Sequence, residues 1–262
     1  MKFKALLSAL LITGIAVIYT ACKKSENAPA TGPALTERDV TSQVALELTQ
    51  NLFGGYGGIN LYDGLSAPSE FAEKHLRGPV LHDLANPFCG LVVDTTLNDS
   101  VTPGADTTIS VSGHIKFGFS CTNDNITGFN LNEDLNIAVS TPILALVSKV
   151  QQNLNLTAIN PDDENSQLSL SGTLSTSGNY KYNDGSNKSG TRSFNFVLTS
   201  LVLDAGGEGD IVSGSATFST KGTGANGSWS YSGTITFLGN HEAKITINNK
   251  TYNVDLKTGA II

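Results

Sequence analysis

The chain is short of several things at once. Its 262 residues include one methionine, one tryptophan, 3 cysteines and 8 prolines, and only 15% are charged. Basic residues are the scarcer sign, 16 against 23 acidic ones, for a formal net charge of -7. An acidic chain with few aromatics lacks the basic surface that nucleic-acid recognition uses, so no nucleic acid is expected as a partner. There is no G-x-S-x-G, no H-E-x-x-H, no phosphate-cradling glycine loop and no Rossmann fingerprint, which removes the usual motif arguments for an enzyme without excluding one. No C-x-x-C spacing exists and the four histidines are scattered, so no metal set is assigned. No catalytic residue and no cofactor follow from the sequence.

The N-terminus, "MKFKALLSALLITGIAVIYTAC", places Lys2 and Lys4 ahead of an apolar run from Ala5 to Ile18, then small residues at Thr20 and Ala21. The run falls short of the ~20 apolar residues of a spanning helix. It reads as a secretory signal peptide over residues 1–21. "YTAC" resembles the bacterial lipoprotein box, with Tyr19 where leucine is usual. That resemblance implies a mature chain starting at an acylated Cys22, anchored in the membrane by its lipid. Removal of residues 1–21 takes away two lysines and no acid, so the mature chain is more acidic still. "KKSENAPATGPA" then reads as a flexible tether, residues 22–35.

With Cys22 assigned to lipid, Cys89 and Cys121 remain as a pair in a compartment that permits oxidation, and they are expected to be bonded. Closing a loop of that length stabilises by roughly 3–4 kcal/mol in the chain-entropy account.

Residues 36–88 divide in two. Thr36 with Asp39 three residues on resembles a capping box, and Val40, Val44, Leu48 and Leu52 recur at i+4 spacing, which predicts one amphipathic helix ended by the glycines from Gly54. The remainder, with Pro68, Pro79 and Pro87, is irregular apart from a candidate short helix at "SEFAEKHL".

From Cys89 to residue 262 the period becomes two. Leu168, Leu170, Leu174, Tyr180 and Tyr182 share one face of a predicted strand, while Gln167, Ser169, Ser171, Thr173, Ser175 and Ser177 share the other. The same alternation recurs at Ile115, Phe117 and Phe119; at Leu131, Leu135, Ile137 and Val139; at Trp229, Tyr231, Ile235 and Phe237; and at Tyr252, Val254 and Leu256. Short glycine-bearing turns such as "NDGSNKSG" and "KGTGANG" join these runs, and such loops require antiparallel neighbours. The fold class is mainly β: an antiparallel meander of long strands forming a curved sheet, half-barrel or sandwich, with one N-terminal amphipathic helix.

The order of a lipobox, "CGLVVDTT", "FGFSC", Ser/Thr-rich strands and a closing "YSGTITFLGNHEAKITINNKTYNVDLKTG" resembles uncharacterised β-rich lipoproteins of Bacteroidota over most of residues 89–262. "DTT" at 94–96, "DSV" at 99–101 and "DTT" at 106–108 resemble the O-glycosylation signal of exported proteins in that group. The resemblance implies modification at Thr95, Ser100 and Thr107, in an exposed loop. It also implies the outer membrane, with the leaflet undetermined, since Glu26 stands alone where surface-exposed relatives carry a denser acidic run.

Three weaker candidates complete the reading. His75, His82 and Asp83 could form a metal or acid–base site. Asp162, Asp163 and Glu164 most simply form a solvated acidic turn. His241 and Glu242 fall in a hairpin turn, where solvated side chains are expected. The exposed strand faces are rich in hydroxyls and amides that can bond carbohydrate, whereas Tyr180, Tyr182, Trp229 and Tyr231 lie on the apolar faces, where aromatics pack. Three functions are therefore carried forward: a lipid-anchored envelope protein with a non-catalytic binding or structural role and a carbohydrate, lipid or protein ligand; a carrier of an apolar ligand in a half-barrel; and an envelope hydrolase.

Overall fold

The computed structural model of the chain describes residues 35–53, 55–56, 88–104, 106–163, 166–186, 188–204 and 209–262. Cys22, His75, His82, Asp83, Glu164 and the "SEFAEKHL" segment lie outside the described residues, as do the proposed leader and nearly all of the tether.

Helix α1 runs Glu37–Leu52. Its capping box is formed: the Asp39 amide donates to Thr36 Oγ1 at 3.2 Å, and the Thr36 amide donates to Asp39 Oδ2 at 3.2 Å. Val40, Val44, Leu48 and Leu52 are all buried, as their spacing requires. Since the cap satisfies two otherwise orphaned ends, Thr36→Ala should lower stability by about 1 kcal/mol, measured by urea unfolding.

Ten strands follow: β1 (Val92–Gly104), β2 (Thr107–Thr122), β3 (Asn125–Ser140), β4 (Leu144–Ala158), β5 (Leu168–Tyr182), β6 (Ser189–Leu203), β7 (Ile211–Gly224), β8 (Gly227–Gly239), β9 (Glu242–Ile247) and β10 (Lys250–Asp255). They form one sheet in sequence order, each antiparallel to the next, and the sheet does not close. The expected meander is thus a single open sheet rather than a two-sheet sandwich. Three of its hairpins turn on residue pairs at positive φ, Asn123–Asp124, Asn240–His241 and Asn248–Asn249, the backbone of tight primed turns for which Asn and Asp are suited.

Helix α1 packs against one face of the sheet. Through the Glu37 and Asn51 side chains, the Asn51 carbonyl and the carbonyl of Leu35 just before the helix, α1 bonds to β4, β5, β8 and β10 and to the β9–β10 turn. On the inner face Phe194, Phe196, Leu170, Leu174, Ile235 and Ile245 are at most 1% exposed. Glu37 fixes the near end of the helix, accepting from Lys250 Nζ at 2.6 Å and Asn248 Nδ2 at 3.0 Å; these bonds hold its carboxyl below the usual range.

Cys89 and Cys121 are joined, with Cα atoms 5.4 Å apart. The bridge ties the start of edge strand β1 to the end of β2, beside a cluster of Phe88, Phe117, Phe119 and Phe129 whose ring centroids lie 5.2–6.0 Å apart.

Candidate functional site

Two arrangements go beyond simple packing, one on each face of the sheet. The first is a buried polar cluster where the C-terminal half of α1 meets the inner face. Asn51 Nδ2 donates to the Glu47 carbonyl at 2.8 Å and to Thr176 Oγ1 at 3.2 Å. Gln152 Nε2 donates to the Asn51 carbonyl at 3.1 Å, serving a helix-end acceptor that has no partner within the helix. Tyr56 Oη donates to Glu47 Oε1 at 2.7 Å, and Arg192 Nη1 lies 3.9 Å from Glu47 Oε2.

Glu133 stands directly across the β3–β4 ladder from Gln152. Its carboxyl oxygens and Gln152 Oε1 have no hydrogen-bond partner among the described residues. Burial pushes the Glu133 carboxyl up to about 8, so it is largely protonated at neutral pH. Among the described residues no three His, Cys, Asp or Glu side chains gather where a metal could be held. The cluster's bonds join the helix to the sheet; no nucleophile is paired with a base in it.

The second arrangement is on the outer face. Register aligns two parallel rows across five strands: Val147, Asn179, Thr191, Thr223 and Ser228 in one, Lys149, Ser177, Ser193, Lys221 and Ser230 in the other. Between them run the backbones of Gly178, Arg192, Gly222 and Trp229 as a floor. Together they line a groove of about 640 Å³. It crosses the strands, and its hydroxyl, amide and ammonium groups are set in a lining whose exposed surface is mostly carbon. The five strands that build it contain no Asp or Glu, although the chain is acidic overall.

The sites read from the sequence are distributed as follows. Thr95 is half-buried on β1, Ser100 is exposed on the same strand, and Thr107 is half-buried at the start of β2. They sit in a hairpin of an edge strand rather than in the loop expected, and Ser100 is the most accessible of the three. Asp162 and Asp163 occupy an exposed turn in which the Ser166 amide donates a hydrogen bond to the Asp163 carbonyl at 3.0 Å.

His241 differs from the solvated side chain expected. It is mostly buried, and Asp210 accepts from both turn amides, that of His241 at 2.9 Å, which steadies the β8–β9 hairpin. Tyr180, Tyr182, Trp229 and Tyr231 are half-buried on the inner face, where packing places them.

The polar cluster was not anticipated. The signal was present at Glu133 and Gln152, which occupy the inward phase set by Leu131 and Leu135 and by Val150 and Leu154. A polar residue in the apolar phase of a long strand implies a buried partner or a strained group.

No protein-family model, no curated protein and no solved structure matches this chain. Sequence and geometry alone therefore carry the functional reading.

Proposed function

We propose that this protein is a lipid-anchored component of the cell envelope, held in the outer membrane through an acylated Cys22, with a non-catalytic binding role exercised by the outer face of its sheet. The observation that carries the binding role is the transverse groove over β4–β8, whose walls offer the hydroxyl and amide groups that bond carbohydrate. The inner face supports a packed interior at the position where an apolar carrier would keep its cavity: Leu168, Leu170 and Leu174 are no more than 6% exposed. A bonded Cys89–Cys121 pair suits an oxidising compartment outside the cytoplasm.

Two measurements test this. Intact mass and peptide mapping of the protein from membranes of its native host should give a chain starting at an acylated Cys22, and hexose mass on a peptide holding Ser100, Thr95 or Thr107 would add modification. An unprocessed Met1 start sinks the anchor. Retention of the detergent-solubilised chain on immobilised envelope polysaccharide from that host should be lost in Ser177→Trp/Ser193→Trp, which fills the groove. Absence of retention in the unaltered protein sinks the binding role.

A further inference from the structure

The charge on the outer face is segregated. Lys149, Lys181 and Lys221 all point outward from β4, β5 and β7, and no strand from β4 to β8 supplies a carboxylate to neutralise them. A chain that is acidic overall thus presents a basic, hydroxyl-rich surface over its groove, with Asp134 of the adjoining β3 as the carboxylate at its edge. The inner-row cation, Arg192, faces Glu47 beneath the sheet and is not part of that surface.

Lys149 and Lys221 lie in the same groove wall, separated by Ser177 and Ser193 on the two intervening strands. Three strand spacings place their backbones about 14 Å apart. Lys149 is paired at 3.1 Å with Asp134 of the neighbouring β3, an exposed pair of the kind that contributes little and exchanges readily for a ligand anion. The two serines between the lysines, with Asn179, Thr191 and Thr223 opposite, can bond hydroxyls along the same line.

From this we propose, resting on the binding role above, that the groove takes an extended anionic polysaccharide lying across the strands, its acidic groups on Lys149 and Lys221 and its hydroxyls on the residues between. Compact anions would use one end of so long a site. A neutral glycan would leave its lysines without purpose.

The test is affinity electrophoresis of the full detergent-solubilised chain in gels containing a linear uronic-acid polymer, a sulfated polymer or a neutral glucan. At least one acidic polymer should retard the protein strongly and the neutral one should not. Added salt should weaken the effect. In Lys149→Gln/Lys221→Gln the polymer concentration for half-retardation should rise roughly tenfold or more, as expected on losing two charge-assisted contacts. Lys244→Gln should change nothing: it alters an exposed lysine of β9, opposite a β8 residue six positions from the groove wall, about 20 Å away. Unchanged thermal unfolding in each variant would show that the fold is kept.

Equal retardation by the neutral glucan, or full retardation of the double variant, overturns the anionic assignment. So does failure of both acidic polymers. If retention on the host's envelope polysaccharide persists in any of these cases, the binding role stands and only the ligand class falls.

Discussion

Glu133→Gln should make the protein more stable at pH 7 by about 3 kcal/mol. The reasoning begins with burial. The side chain is 2% exposed, and burial is what pushes its carboxyl from an ordinary 4.5 to about 8. Between those values the folded state holds a proton that the unfolded chain has already released. With respect to this group, stability is fully present below pH 4.5 and declines as pH rises, levelling off above about 8. Glutamine removes that dependence because it has nothing to ionise. It also offers an amide donor toward Gln152 Oε1, which now lacks one; opposed residues on a ladder have Cβ atoms about 4.5–5.5 Å apart. Urea unfolding at pH 5, 7 and 8.5 should show the parent weakening across the series relative to the variant. Parallel pH profiles would show that Glu133 is solvated and ionised in the fold.

The parts of this fold that could be read in advance are those encoded by neighbours. The i+4 stripe of Val40, Val44, Leu48 and Leu52, the Thr36–Asp39 cap and the period-two runs each depend on a few adjacent residues, and each appears as expected. The meander followed for the same reason, since short turns leave a strand little choice of partner. What escaped notice depends on residues far apart in the chain. Asn51 and Thr176 are 125 positions apart, and Asn51 and Gln152 are 101. No local pattern relates them. The groove has the same origin: Lys149, Ser177, Ser193 and Lys221 become one row only when four strands take their registers. Yet one part of it was legible, because the lack of carboxylates across those strands is plain in the order of the residues themselves. The Tyr180 and Trp229 rings were rightly kept from the binding surface, since the parity that buries Leu174 and Ile235 also turns them inward.

Replacing both Cys89 and Cys121 with alanine should lower stability by about 3–4 kcal/mol. The bridge spans 32 residues, and the chain-entropy account for a loop of that length gives this range. Its position makes the loss local as well as global. Among the described residues β1, an edge strand, pairs only with β2, and the bridge holds the entry to β1 where Phe88 packs against Phe119 and the Phe119 amide donates to the Leu91 carbonyl at 3.0 Å. Without it, amides of Val92 to Thr96 should exchange by local fraying, while those of β5 and β6 should exchange only through global unfolding. Urea midpoints with and without reductant, paired with thiol alkylation and mass measurement, would read the first effect; hydrogen exchange would read the second. Identical midpoints with both thiols freely alkylated in the untreated protein would deny the bridge any role. A stabilisation of this size is realised only where the thiols can be oxidised.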